Sequence, residues 1–326
     1  MSRASRFSHL RTKEGNPTVA VQLRSAAAWL LAILSVPLLI STSSAAEPRS
    51  FETAEAAAQA LVEACRKGDA EALRALADED RANKIFELGD PGTRKRLAVF
   101  AEAADERLVL TSDSEDSRVM MVGFNGYPFP VPIVRTEAGW VFDAEEGLEE
   151  LLDRTIGWNE LIAISLLYDF VDAQAEYAEE PRDDTDVRQF ARYILSTERK
   201  RDGLYWHADE EAGEEPSPFG PLLDSAKAKP ERTAPYYGYR YHVLTAQGKG
   251  APGGAYSYEI NGNLVAGFAA VAWPAKYGRT GIMTFVVNQY GTVYQKDLGE
   301  DTAKIAEEIE AYDASDGWKD ALDEEE

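Results

Sequence analysis

Hydrophobic and polar positions alternate with a period of two in the stretch between residues 235 and 299. Tyr237, Tyr239 and Tyr241 follow this alternation, which is typical of a strand with one buried face. The run from residue 264 to residue 273 is nearly all apolar, so we expect a central strand that is covered on both faces. The pattern predicts an antiparallel sheet of four or five strands.

Turn residues divide this sheet. The pair Asn261-Gly262 predicts a tight hairpin, because both central residues of such a turn need a positive φ. Pro274 is expected to end the central strand, since proline has no amide hydrogen to donate to a neighbouring strand. Tyr290-Gly291 marks a further turn between two strands.

The first half of the chain shows helical spacing and then strand-like segments. Helices are predicted over residues 51–67, 70–77 and 93–103, with Gly68 as a stop signal and Asp69 as a cap. Strands are predicted over residues 107–111, 118–123, 130–135 and 140–143. Helices that precede an antiparallel sheet indicate an α+β unit.

The second half combines helices with the sheet. An acidic helix over 144–152 is expected to stop at residues 155–157, before an amphipathic helix that starts at Asn159. Val187, Phe190, Ala191 and Ile194 share one face of a further predicted helix. Residues 200–235 are polar and rich in glycine and proline, which predicts a long loop, and a last amphipathic helix starts at Asp301.

The first 46 residues have the three-part pattern of a secretory signal peptide. Five basic side chains and one acid precede the uncharged run AAAWLLAILSVPLL, and small residues lead to Glu47. We expect cleavage after Ala46, which predicts export to the periplasm. The apolar run is short for a membrane span and contains Pro37, so no integral membrane anchor is expected after processing.

Charge and cysteine content narrow the possible partners. Removal of those 46 residues, with five basic side chains and one acid, lowers the net charge from −23 to −27. Such a chain repels nucleic acid, so no nucleic-acid partner is expected. Cys65 is the only cysteine, so no internal disulfide forms. Its place on an apolar helix face predicts a buried, inert thiol rather than a nucleophile.

Three segments or patterns of the chain resemble known families. The pattern AxALVxACRKGDAEALRAL with EAGWVFD resembles the cystatin-like cone of nuclear transport factor 2. Enzymes of that superfamily place an acid or a histidine in the cone, and this segment has no histidine. The helix from Asn159, with Ala163-Ile164 and Ala173-Gln174, and the sheet through Tyr277-Gly278 and Phe285 resemble the globular domain of pilins and pseudopilins. Taken whole, the chain resembles an exported bacterial family catalogued only as a domain of unknown function, through segments such as GWNELIAI, KRDGLYW and LTAQGKGAPGGAY.

These observations predict an α+β protein of two domains. A signal peptide covers residues 1–46, a cystatin-like domain of helices plus antiparallel sheet covers 47–154, a pilin-like domain with a long helix packed on an antiparallel sheet covers 155–314, and an acidic tail covers 315–326. The pilin resemblance implies a fold rather than a pilus subunit, because the apolar assembly helix does not precede Asn159.

Six residues are candidates for ligand binding: Tyr205, Trp206, Tyr237, Tyr239, Tyr241 and His242. Their rings offer a stacking surface for a glycan or a peptide, and the alternative is a sheet face that packs on the long helix. The glycine-rich segment GKGAPGG, residues 248–254, lacks the serine or threonine and the following helix of a phosphate-binding P-loop. A flexible hairpin loop is the better interpretation.

Asp183, Asp184 and Asp186 are the candidate metal ligands, and calcium is the one cofactor that they suggest. Helix capping and a solvated acidic surface are the alternative, because the segment lacks the glycine and the distal glutamate of an EF-hand loop.

No recognisable catalytic motif appears in the sequence. The leading hypothesis is a non-enzymatic periplasmic interaction or scaffold protein whose partner is an envelope protein. The alternative is a binder of a small ligand or of cell-wall glycan or peptide, or a hydrolase of such a ligand, with its pocket in the cone or beside Tyr239 and His242. A cavity with converging polar groups favours that alternative.

Overall fold

The computed structural model describes residues 48–112, 114–182, 185–208, 213–220 and 234–323. The predicted signal peptide therefore lies outside the described residues. Helices and antiparallel sheets both occur, which confirms the predicted α+β class. No helix in the described part of the chain is long and apolar enough to cross a lipid bilayer.

The first half of the protein consists of four helices followed by a small antiparallel sheet. The helices are α1 (Ala54–Lys67), α2 (Ala70–Leu76), α3 (Glu79–Ile85) and α4 (Thr93–Glu106). The strands are β1 (Leu108–Ser112), β2 (Ser117–Val122), β3 (Tyr127–Pro128), β4 (Ile133–Thr136) and β5 (Gly139–Phe142). They pair in the order β1-β2-β4-β5, with β3 on β2. The predicted helices and strands of this half are confirmed, and α3 and β3 are additions.

Local signals explain where α1 begins and ends. The Thr53 hydroxyl accepts a hydrogen bond from the amide of Ala56, and Gly68 adopts the left-handed conformation that ends the helix. Leu61 and Cys65 on its apolar face are buried in a core with Met120 of β2. The buried position predicted for the thiol is therefore confirmed.

A single helix, α5 (Ala144–Tyr177), joins the two halves. The break predicted at residues 155–157 is wrong. Ala144 packs against alanines that follow α2 and lie in α3, whereas the turns from Ala163 onward are buried in a second core. Contacts at both ends of the helix outweigh the small loss of helix stability that a glycine such as Gly157 causes. The proposed division at 154/155 stays a prediction.

The second half is built on a five-stranded antiparallel sheet. The strands that follow α5 are β6 (Tyr193–Leu195), β7 (Gly203–Tyr205), β8 (Tyr239–Leu244), β9 (Ala246–Gln247), β10 (Tyr256–Ser257), β11 (Glu259–Ile260), β12 (Asn263–Leu264), β13 (Ala269–Pro274), β14 (Met283–Asn288), β15 (Tyr294–Asp297) and β16 (Lys319–Asp320). The main sheet has the order β16-β15-β14-β13-β8. Strand β13 is buried along its whole length and ends at Pro274, as predicted.

The predicted hairpin turn is also confirmed. Strands β11 and β12 pair across Asn261 and Gly262, which have φ values of 52° and 81°. Positive values at both positions explain why the sequence uses asparagine and glycine there.

The helix predicted around Phe190 is wrong. The described residues of this segment run in extended conformation into β6, which pairs in parallel with β7. The Gln174 side chain donates to the carbonyl of Ala191 at 2.9 Å and accepts from its amide at 2.7 Å. The Phe190 ring meets the Phe268 ring at 4.7 Å. The Gln174 side chain thus pairs with the amide and carbonyl groups of Ala191, which a helix would use for its own hydrogen bonds.

The end of the chain belongs partly to the sheet. Helix α6 (Thr302–Glu307) confirms the predicted last helix but is shorter. Strand β16 pairs with β15, and Trp318 packs against the core, so the segment assigned to the acidic tail begins inside the fold.

The carboxylate of Glu160 ties α5 to the sheet. Its Oε1 atom accepts hydrogen bonds from the amides of Ile282, at 2.7 Å, and Met283, at 3.0 Å. The neighbouring Asn159 donates from Nδ2 to the carbonyl of Thr280 at 3.0 Å. Helix α5 is thereby held against the start of β14.

We predict that Glu160→Ala lowers the free energy of unfolding by about 2–4 kcal/mol, because two amides lose a charged acceptor. Glu160→Gln keeps an oxygen at the same place, and a loss of about 1 kcal/mol is expected. Urea unfolding followed by circular dichroism measures both changes.

Glu149→Ala is the matched control, since Glu149 lies on the same helix and is exposed. Its effect is expected to stay within about 0.5 kcal/mol. Equal stability of Glu160→Ala and the native protein would contradict the anchoring role.

Candidate functional site

The six candidate ligand-binding residues do not form one surface. Tyr239 is completely buried, and its hydroxyl donates to the carbonyl of Met283 at 2.9 Å. Burial is the main reason why the pKa of Tyr239 lies far above that of a free tyrosine. Tyr237 lies in the preceding turn with φ 46°. The centre of its ring lies 4.8 Å from the centre of the Tyr236 ring, and the two rings are nearly perpendicular. Tyr239 is thus a core residue.

The ring of Trp206 is covered by other side chains of the protein. The guanidinium groups of Arg182 and Arg201 lie 5.3 Å and 5.2 Å from the centre of its ring. The carboxylate of Glu215 bridges both arginines at 2.9 Å, and its backbone carbonyl accepts from Trp206 Nε1. Trp206 is only 9% exposed, so it offers no stacking surface to a ligand, and the neighbouring Tyr205 packs against the core as part of β7.

The remaining two candidates, Tyr241 and His242, line a cavity of about 390 Å³. We call it the β8 cavity. Its lining residues are Arg192, Tyr193, Ile194, Leu195, Arg240, Tyr241, His242, Val243, Trp273, Ala306 and Glu307. The structure therefore joins part of the predicted site to residues of β6, β13 and α6.

The β8 cavity lies at one edge of the main sheet. Strand β8 is the last strand of the sheet, and β6 runs beside it. Because side chains alternate along a strand, Tyr241 shares a face with the buried Tyr239, and His242 lies on the opposite face. Residues from both faces reach the cavity, which is consistent with a position at the edge.

Two buried polar atoms of the cavity residues have no hydrogen-bond partner among the residues that the structure describes. The Nε1 atom of Trp273 and the hydroxyl of Tyr241 are both buried, and neither forms a hydrogen bond within the described part of the chain. A buried donor without an acceptor destabilises a protein by about 1–3 kcal/mol, so most such groups are paired. Trp273 is 6% exposed, and its indole N–H can donate a hydrogen bond but not accept one.

Charged groups of both signs surround the cavity. Arg192 forms an ion pair with Glu259 and donates to the carbonyl of Gly262 at 2.8 Å. Burial lowers the pKa of His242, so this side chain is neutral at pH 7 although it is partly open to solvent. The lining thus contains two arginines, one of them paired with Glu259, and one glutamate, Glu307.

The candidate metal ligands are not assembled in the described residues. Asp186 is exposed, and Asp183 and Asp184 lie outside the part that the structure describes. No group of three histidine, cysteine, aspartate or glutamate side chains suited to a metal ion occurs among the described residues. The calcium hypothesis thus stays a prediction.

Sequence reasoning missed the residues that complete the cavity. Trp273 lies in an apolar run that indicates a buried strand. Nothing in the neighbouring sequence indicates that its N–H group forms no hydrogen bond with the described residues. Arg192 belongs to the segment predicted as a helix, and Arg240 alternates with tyrosines in β8. Only the pairing of β8 with β13, which places Arg240 opposite Trp273, brings these residues together.

The chain belongs to the family described as a protein of unknown function, DUF2950, whose sequence model matches residues 48–321. This membership confirms the predicted resemblance to a family of unknown function. No curated protein and no solved structure matches the chain. Export and the resemblances to pilins and to nuclear transport factor 2 stay predictions.

Cys65 is expected to be unreactive in the folded protein. Burial raises the pKa of this thiol to about 12, so about one thiol in ten thousand is ionised at pH 8. We predict negligible reaction with 5,5′-dithiobis(2-nitrobenzoate) in the native state and one thiol per chain after unfolding in guanidinium chloride. Rapid native reaction would instead indicate an accessible, activated cysteine.

Proposed function

We propose that this member of the family is an exported protein that binds a small amphipathic molecule in the β8 cavity. The indole N–H of Trp273 carries the proposal, because it is a buried donor without a partner among the described residues and belongs to a residue that lines the cavity. The volume of about 390 Å³ falls within the range of about 300–1,000 Å³ that is typical of small-molecule sites.

The lining indicates the chemistry of the ligand. Ile194, Leu195 and Val243 offer apolar contact, whereas Trp273 and Arg240 offer donors or positive charge. An apolar body that carries a carboxylate or a sulfonate satisfies both sets of contacts.

Binding rather than catalysis is the function that the geometry supports. His242 forms no hydrogen bond with the residues that the structure describes, so no carboxylate orients it as a general base.

The scaffold hypothesis has weaker support. It requires an exposed sheet face or edge. The inner strands offer no exposed face, since β13 is buried throughout and β14 is buried from its second residue. Strand β8 forms an edge of the sheet, and that edge is where the β8 cavity lies. An envelope partner therefore stays a prediction, and the β8 cavity is the better candidate for the site of action.

The probe that we propose is 1-anilinonaphthalene-8-sulfonate, which has an aromatic body and one sulfonate. Trp273→Phe removes the indole N–H and keeps an aromatic ring in the wall. We expect binding of the probe to weaken by at least about tenfold, because a hydrogen bond to a charged acceptor contributes about 1.5–3 kcal/mol. Titration of the fluorescence of the probe measures its affinity.

Trp158→Phe is the matched control, since Trp158 is 64% exposed on α5 and does not line the cavity. Its affinity for the probe should equal that of the native protein. If Trp273→Phe fails to fold, Arg240→Gln with Arg188→Gln as an exposed control tests the same cavity. Unchanged affinity in Trp273→Phe, or in Arg240→Gln, would refute the site.

A further inference from the structure

A second cavity, of about 480 Å³, lies beside the glycine-rich loop of residues 248–254. We call it the tyrosine cavity. Its lining residues are Gly250, Ala251, Pro252, Asn288, Tyr290, Thr292, Tyr294, Tyr312 and Ala314. None of the residues proposed for the β8 cavity contributes to it. We propose that the tyrosine cavity binds an uncharged saccharide.

The absence of charge in this lining points to a neutral ligand. The lining residues include no lysine, arginine, histidine, aspartate or glutamate. A charged group bound against this lining would lose part of its hydration and gain no countercharge, which is unfavourable. Hydroxyl and amide groups of a neutral ligand require only hydrogen bonds.

Three tyrosine rings provide apolar contact. Tyr290 is 62% exposed at the cavity, while Tyr312 is 3% exposed and forms part of the core. Tyr294 is half-buried between these extremes. Aromatic rings combine a flat apolar face with a polar edge, which suits the C–H face and the hydroxyl groups of a pyranose ring.

Hydroxyl groups at the cavity are available to a ligand. The side-chain hydroxyls of Tyr290, Thr292 and Tyr294 form no hydrogen bond with the residues that the structure describes. The side chain of Asn288 is buried, and its Oδ1 accepts the amide of Tyr290 at 3.1 Å. This contact fixes the backbone that carries the exposed Tyr290 ring.

The loop that forms the opposite wall is held in place rather than free. The buried side chain of Gln247 donates to the carbonyls of Pro252, at 2.8 Å, and Gly254, at 2.7 Å. Its Oε1 accepts from the hydroxyl of Tyr258 at 3.1 Å. Strands β9 and β10 pair at the base of the loop, so the predicted hairpin is confirmed. A wall that is already ordered lowers the entropy lost on binding.

The loop does not bind a phosphate through the amide of Gly250, because the carboxylate of Asp313 already accepts a hydrogen bond from it. The amide of Gly250 donates to the Asp313 carboxylate at 2.9 Å. The hydrogen bond from the Ser315 hydroxyl, together with those from the amides of Gly250 and Ser315, holds the pKa of Asp313 below its usual value. A Cβ atom at Gly250 would lie 2.2 Å from the Ser315 hydroxyl, so glycine is required for the close approach.

Isothermal titration calorimetry with tri-N-acetylchitotriose, maltotriose and cellotriose tests the proposal. We expect at least one of these neutral trisaccharides to bind, and trigalacturonate to bind at least about tenfold more weakly. Tyr290→Ala is expected to weaken binding about tenfold, because the exposed ring is lost. Tyr294→Phe removes one hydroxyl and should weaken binding to a smaller extent.

Tyr127→Ala is the matched control, since Tyr127 is also 62% exposed but lies on β3. Its saccharide affinity should remain unchanged. Failure of all three neutral trisaccharides to bind at millimolar concentration would overturn the proposal. Equal affinity of Tyr290→Ala and the native protein, or stronger binding of trigalacturonate, would also overturn it.

The two cavities are tested independently. Trp273→Phe should leave saccharide affinity unchanged, because Trp273 does not line the tyrosine cavity. Tyr290→Ala should leave the affinity for the naphthalene sulfonate unchanged for the corresponding reason. If both variants lost affinity for the same ligand, the two cavities would act as a single site, and the assignment of two sites would be refuted.

Discussion

The contact between Glu160 and the amides of Ile282 and Met283 is the constraint on which the rest of the second half depends. It joins α5 to β14 across 122 residues of chain, through a carboxylate that accepts two backbone hydrogen bonds. A hydrogen bond to a charged group is stronger than a neutral one, so this contact restricts how the helix lies on the sheet. Tyr239 and Phe285 then fill the space between them.

The two cavities at the margins of this core differ in chemistry. The β8 cavity combines arginines, a neutral histidine and an unpaired indole N–H, and it suits an acceptor with an apolar body. The tyrosine cavity has only uncharged residues and exposes an aromatic ring. A charged lining and an uncharged lining select different ligands, because each desolvated group of a ligand needs a complementary partner.

Several groups that resemble functional residues are satisfied by the protein itself. Two arginines lie over the ring of Trp206, and the carboxylate of Asp313 accepts a hydrogen bond from the amide of Gly250 in the glycine-rich loop. Gln174 takes both backbone hydrogen bonds of Ala191. Trp206 and Gln174 are buried, so their polar groups would be unfavourable without partners and these contacts stabilise the fold. The bond between Gly250 and Asp313 is exposed and fixes the position of the loop.

The sequence by itself determined the α+β class, the hairpin at Asn261-Gly262, the buried β13 and the helix boundaries set by Thr53 and Gly68. These features depend on residues that are close in the chain, where periodicity, capping and turn geometry act. Only the tertiary structure decided that α5 is continuous, that the segment around Phe190 is extended, and that Trp273 meets Arg240 at a cavity. Those outcomes depend on partners that are distant in the chain, and a local pattern carries no information about which partner a buried polar group will find.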